Sequence, residues 1–162
     1  MAKTYANIRE MRAGIKAARE AQARAFAQSV SRTAEVGYAN IQGRLRGRPG
    51  LNYQSGNLSR SVTRTVKPVS TLRLTIVFTA GGGRVKYAAI HETGGTIQGK
   101  PWLRFRIGRG KGRGKKSRGS FVTVRQVTIT ARPYMRPSVV EALGFLRKDI
   151  AEHLGPAIKA AL

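Results

Sequence analysis

The 162-residue sequence contains no cysteine. Disulfide frameworks, thiolate nucleophiles and cysteine-ligated zinc or iron–sulfur sites are therefore excluded together. Acids are scarce, 7 against 31 Lys and Arg, and they are too scattered for an acid–base or two-metal site to be assembled easily. Only Asp149 and Glu152 fall one helical turn apart, and beside Arg147 and Lys148 they read as solvated charge. There are 2 histidines. His91 opens "HETGG", which starts like a zinc-protease helix, but Gly95 stands where the second ligand must be; His153 reads as a surface or half-buried residue. No stretch approaches the ~18 apolar residues that span a bilayer, and "MAKTYANIREMRAGIKAARE" lacks the continuous apolar run of a signal peptide. These absences predict a soluble, non-enzymatic chain with no cofactor, no metal and no membrane partner.

What is abundant is positive charge. The formal net charge is +24, which argues for a polyanion or an acidic protein surface as partner rather than for any fold. Arginine outnumbers lysine 21 to 10, favouring planar, bidentate contacts with phosphate or carboxylate; genome composition would produce the same bias. The densest stretch is "GRGKGRGKKSRG", Gly108 to Gly119, which cannot bury an apolar face. It is not a P-loop, because Gly99-Lys100, Gly110-Lys111 and Gly114-Lys115 are followed by Pro101, Gly112 and Lys116 instead of Ser or Thr. The dinucleotide pattern fails too, since Gly108-Arg109-Gly110 requires glycine where Arg113 stands.

The length suits one domain with a sizeable core. Residues 1–47 read as helix, with Ile8, Met11, Ile15 and Ala18, then Phe26, Val30, Ala34, Tyr38, Ile41 and Leu45 at steps of three and four, and Arg24, Gln28, Arg32 and Glu35 opposite. Packing on the core is one reading of this helix; a basic helix on a membrane surface is another, weakened by the lack of interfacial Trp. From residue 51 to residue 130 the period becomes two: "LSRSVTRTV", "TLRLTIVFT", "GGGRVKYAAI", "PWLRFRI" and "SFVTVRQVTI" predict an antiparallel β-meander whose last hairpin carries 108–119 at its tip. Pro133 and Pro137 precede a final helix over 138–161, with "SVVE" in capping-box spacing, a stripe of Val139, Leu143, Leu146, Ile150 and Leu154, and a kink or end near Gly155-Pro156. The expectation is an α+β fold, a single domain over 1–162, with a long helix at each end packed on one sheet face.

"SGNLSRSV" (Ser55 to Val62), "YAAIHETGGTI" (Tyr87 to Ile97) and "ARPYMRPSVVEA" (Ala131 to Ala142), in this order and spacing, resemble the tailed-phage neck and tail-completion proteins, also called virion morphogenesis or head-tail joining proteins. The resemblance covers roughly Leu51 to the C-terminus. Thr130 stands where that family often has proline, and the basic tip is not a fixed family feature. The resemblance implies a homo-oligomeric ring, a hexamer first and a dodecamer second, at the head-tail junction of a virion assembled in the host cytoplasm. It would surround the DNA channel and abut a head-closure or connector ring and a tail-terminator ring. The motif residues it marks are Tyr87, His91, Glu92, Gly94, Gly95, Arg132, Pro133 and Pro137.

Read for themselves, Gly94-Gly95 suit a positive φ or a close backbone approach at a strand end, and Tyr87 suits a half-buried place on the sheet. Arg132 and Arg136 can pair with Glu141 or with a neighbouring subunit's acids. Trp102 beside Arg104 and Arg106 is a core or interface residue, or a base-stacking platform. Arg109, Lys111, Arg113, Lys115, Lys116 and Arg118 have three readings: a solvated loop, a non-specific contact with genomic double-stranded DNA, or a contact with an acidic groove on a neighbouring ring. Outside the ring reading stands a free basic nucleic-acid-binding protein of ribosomal or genome-compacting type.

Overall fold

The computed structural model describes residues 7–46, 56–83, 85, 87–107 and 120–161. The chain is α+β, with a long helix at each end and antiparallel strands between them. It divides into two compact units, Met1–Lys86 with Pro133–Leu162, and Tyr87–Arg132.

The first unit is built on α1 (Ile8–Arg46). Its 39 residues span about 58 Å at 1.5 Å per residue. Burial begins at Ala25 and runs through Ser29, Val30, Thr33, Ala34, Gly37, Ile41, Gln42 and Leu45. Among these, Ala25, Ser29, Thr33, Gly37, Ile41 and Leu45 form one row at steps of four, small or polar in its first two thirds. Helix α4 (Met135–Ala161) packs along this row, with its Ser138, Ala142 and Asp149 buried, as is Tyr134 just ahead of it. Small residues on both sides let the backbones approach: an ideal Cβ on Gly37 would lie 3.2 Å from Ala142 Cβ and 2.6 Å from Phe78 Cζ. Gly37, which weakens the isolated helix, therefore opens the space that the β2 phenylalanine fills.

Against α1 also lies a hairpin of β1 (Thr63–Ser70) and β2 (Arg73–Thr79), in register from Thr63 opposite Thr79 to Pro68 opposite Leu74. The register slips after Pro68, where proline has no N–H to give to the ladder. "NLSRS", part of the expected first strand, instead forms the short helix α2 (Asn57–Ser61). Gly56 precedes it at φ 71°, and the buried Gln42 amide ties it to α1 by donating to the Ser59 carbonyl at 2.7 Å while accepting from the Ser59 hydroxyl.

The second unit holds α3 (Ala88–Thr93) and a long hairpin of β3 (Gly95–Ile107) and β4 (Ser120–Ile129). The strands pair from Gly95 opposite Ile129 to Ile107 opposite Ser120, interrupted between Gln98 and Leu103. Thus the strands form two separate two-stranded sheets where one continuous meander was expected. The cause is "YAAI", whose alanines favour helix over strand and which forms α3 instead.

One expectation about the last helix, its start, is corrected. The helix begins at Met135, and Ser138, already inside it, donates its hydroxyl to the Tyr134 carbonyl at 2.7 Å; this is the i−4 back-bond of a helix interior and not a cap. Pro156 lies within the helix, which continues to Ala161.

Candidate functional site

The family-motif residues fall in different places. Tyr87 is not on a sheet; it sits at the N-terminal boundary of α3, edge-on to the His91 ring with centroids 5.6 Å apart. His91 and Glu92 are half-buried on α3. Burial, and then the nearby Arg132 guanidinium, push the His91 imidazole below its ordinary pKa, so its neutral form is favoured. The Arg132 amide donates to the His91 carbonyl at 2.8 Å. Gly94 ends α3 at φ 71° and ψ 177°, a backbone region open in practice to glycine alone. An ideal Cβ there would stand 2.8 Å from the Ala131 nitrogen. Gly95 follows at φ 155°. Tyr87, His91, Gly94 and Arg132 thus clamp α3 to the base of the long hairpin. Pro133 lies just ahead of α4 and Pro137 is its third residue. Glu141 on α4 accepts from Arg44 at 2.5 Å.

The six tip cations, Arg109, Lys111, Arg113, Lys115, Lys116 and Arg118, lie outside the described residues. The strands that lead to them are described, and their two faces differ. Leu103 opposite Val124 and Phe105 opposite Val122 give one face its apolar character. On the other, Arg104 is opposite Thr123, and the residues at 102, 104, 121, 123 and 125 are all exposed. The Arg104 guanidinium lies 4.6 Å from the centroid of the Phe121 ring, and Arg125 lies 4.8 Å from that of Trp102. Trp102, 52% exposed, is therefore neither core nor a bare platform, because a guanidinium already covers one of its faces.

Two apolar surfaces of the first unit are left open. No residue of α1 ahead of Ala25 is buried, so its stripe of Ile8, Met11 and Ile15 is exposed. The second surface is a groove of about 560 Å³ between α1, β2 and α4, lined by Phe26, Val30, Ile76, Phe78, Val139, Leu143 and Leu146 among others. Val139, Leu143 and Leu146 of the apolar stripe of α4 read from the sequence thus line this groove, with Leu143 50% exposed, while the α1 seam is made by a different row.

Sequence reasoning missed the strongest polar feature. Asp149, read as solvated charge, is 5% exposed. Arg32 grips it with both arms, Nε to Oδ1 at 3.0 Å and Nη2 to Oδ2 at 2.7 Å. The hydrogen bond from Arg32, then one from Ser29, holds the Asp149 carboxyl below the usual carboxylate range. His153 Nδ1 is 3.5 Å from Asp149 Oδ1. The signal available beforehand was the spacing of Tyr134, Ser138 and Ala142, which places Asp149 on the buried row. Among the described residues, no three of His, Asp and Glu come together as a metal site would need, and no helix is long and apolar enough to cross a membrane.

Compared with protein-family models, curated proteins and solved structures, the chain matches none.

Proposed function

We propose that this chain is a structural subunit of a tailed-phage neck, forming a homo-oligomeric ring that joins head and tail around the DNA channel and contacts a head-closure or connector ring on one side and a tail-terminator ring on the other. The observation that carries the ring is the pair of unlike open surfaces in the first unit. A stripe on α1 and a groove between α1, β2 and α4 are unlike surfaces that copies of the chain can bury against each other, reciprocally in a two-fold pair or head to tail from copy to copy. If the Ile8–Met11–Ile15 stripe of one copy fills the groove of the next, the contact is heterologous, and a heterologous contact closes into a ring when its rotation permits. Burying what remains exposed of the three stripe residues is worth about 1 kcal/mol each, less than the ~4 kcal/mol or more that association costs. One such contact makes a poor dimer, whereas closing a ring adds a further contact at no further cost of association. The charge and the motif resemblance support the head-tail junction as its place.

The test is mass photometry of nuclease-treated protein, alongside immunogold labelling of virions. The expected result is a closed species of six or twelve copies and label at the neck. Leu143→Asp places a charge in the groove at an already half-open position, so the expected variant is a monomer with an unchanged circular dichroism spectrum. A wild-type chain that stays monomeric at all concentrations, with Leu143→Asp indistinguishable from it, overturns the ring. The cation–aromatic face of the long hairpin favours a second reading, a free nucleic-acid-binding protein, which predicts that monomer bound to nucleic acid.

A further inference from the structure

We infer that the exposed face of the β3–β4 hairpin carrying Trp102, Arg104, Phe121 and Arg125 is a binding surface for the sugar-phosphate backbone of duplex nucleic acid. This deepens the ring reading, since it names what the ring holds at its axis, and it rests on that reading only for how many copies act together.

Three observations converge on this face. The first is charge. Between Tyr87 and Arg132 the sequence has eleven Lys and Arg and a single acid, Glu92, so the face has almost no internal anion to satisfy it. The described ion pairs of Arg24, Arg32, Arg44 and Arg64 all lie in the first unit.

The second is pre-organisation. A surface arginine ordinarily loses rotamer freedom when it grips a phosphate, which offsets much of the contact. Arg104 and Arg125 lie against Phe121 and Trp102 at 4.6 and 4.8 Å, within cation–π range. Stacking leaves the guanidinium donors free at the plane's edge, so each arginine is held in position while its N–H groups remain available to phosphate oxygens.

The third is shape. A two-stranded ribbon fits the ~12 Å major groove of B-form DNA or tracks along its backbone. Its other face, with Leu103, Phe105, Val122 and Val124, is apolar and suits protein. The same geometry disfavours single strands: a base-stacking platform needs open ring faces, and here an arginine lies over each ring. Contacts to phosphate and sugar carry no sequence information, so binding is expected to be independent of sequence.

The experiment uses the full chain with a fluorescein-labelled 30-base-pair duplex, its single strands, and a poly-glutamate competitor, titrated by anisotropy from low to moderate salt. The expected wild type binds unrelated duplexes equally and prefers duplex to single strand. Arg104→Gln with Arg125→Gln should lower the log–log salt slope by about 2, at ~0.9 for each phosphate no longer neutralised. Arg104→Lys with Arg125→Lys keeps the charge but removes the stacked plane, so the slope should hold while affinity falls severalfold. Trp102→Ala should weaken duplex binding severalfold with the slope unchanged. Circular dichroism and mass photometry on the same samples report fold and assembly separately: loss of the ring with the duplex slope intact sinks the ring reading alone, and an intact ring with no duplex binding sinks this one alone. Three results overturn the inference: a Gln pair with wild-type affinity and slope; a Trp102→Ala defect confined to single strands, which identifies a base-stacking site; or poly-glutamate displacing duplex at equal charge concentration, which identifies an acidic protein as the partner.

Discussion

Replacing Asp149 with alanine is expected to lower the stability of the unit built on α1 and α4 by about 2–3 kcal/mol, because charge-assisted hydrogen bonds from a guanidinium are worth more than neutral ones and their loss leaves Arg32 and Ser29 facing a gap. The loss stays below that of a wholly buried pair, since Arg32 is 41% exposed and can turn its charge to water. Thermal unfolding followed at 222 nm should show a midpoint about 5–10 °C lower. Asp149→Asn provides the pH test. The Asp149 carboxyl is held below its ordinary pKa by Arg32 and then by Ser29. A group whose pKa is depressed on folding stabilises the fold above its unfolded value, and that contribution is lost as pH falls through the folded value. The gap between wild type and Asp149→Asn should therefore be full at neutral pH, start to narrow near pH 4, and close at lower pH. A constant gap across that window would mean that packing and not the ion pair holds the two helices together.

Gly94→Ala is expected to cost about 3 kcal/mol or more in the second unit. Two penalties add. The backbone at φ 71° and ψ 177° is strained by about 1–3 kcal/mol for any residue with a Cβ. The new methyl would also stand 2.8 Å from the Ala131 nitrogen and 3.1 Å from the Ile129 carbonyl oxygen, backbone atoms at the end of β4 that cannot swing aside as a flexible side chain could. Amide hydrogen exchange read by mass spectrometry is the measurement, since it resolves residues 87–132 from the rest of the chain. Accelerated exchange across β3 and β4, with α1 and α4 unchanged, is the expected pattern. Wild-type protection in the hairpin would show that α3 ends equally well without this glycine.

The long helices and the paired strands were legible because each rests on a periodic signal: Val30, Ala34, Ile41 and Leu45 on α1 are apolar at helical spacing, and all four are buried. The α1–α4 seam was not legible. It is made by Ser29, Thr33, Gly37, Ser138 and Asp149, residues that an apolar count scores as surface, although small side chains and satisfied polar groups are what a close helix crossing requires. The apolar stripe of α4 was legible as a stripe, but periodicity shows only that a face is apolar and not how far this chain covers it: Val139 and Leu146 are half-buried while Leu143 is exposed. The same limit applies to "YAAI" and "LSRS", too short for helical and strand periods to be told apart. As for the candidate site, the tip cations could be named from composition, whereas the pairing of Arg125 with Trp102 depended on a register slip that spacing alone does not reveal.

That slip has a consequence for how the hairpin tolerates change in length. Residues 99–102 on β3 face only Arg125 on β4, and this excess absorbs a change of phase in β4, where Val122 and Val124 lie on one alternation and Val127 and Ile129 on the other. Residues can be added to or taken from the connection between Ile107 and Ser120 without disturbing either face. Deleting one residue between Gly99 and Trp102 is different in kind: it slides the distal half of β3 by one place and exchanges its two faces, turning Arg104 towards the apolar side and Leu103 and Phe105 outward. Drift in length among such hairpins should therefore collect at the far end and be purged at the bulge, a pattern of indels rather than of substitutions.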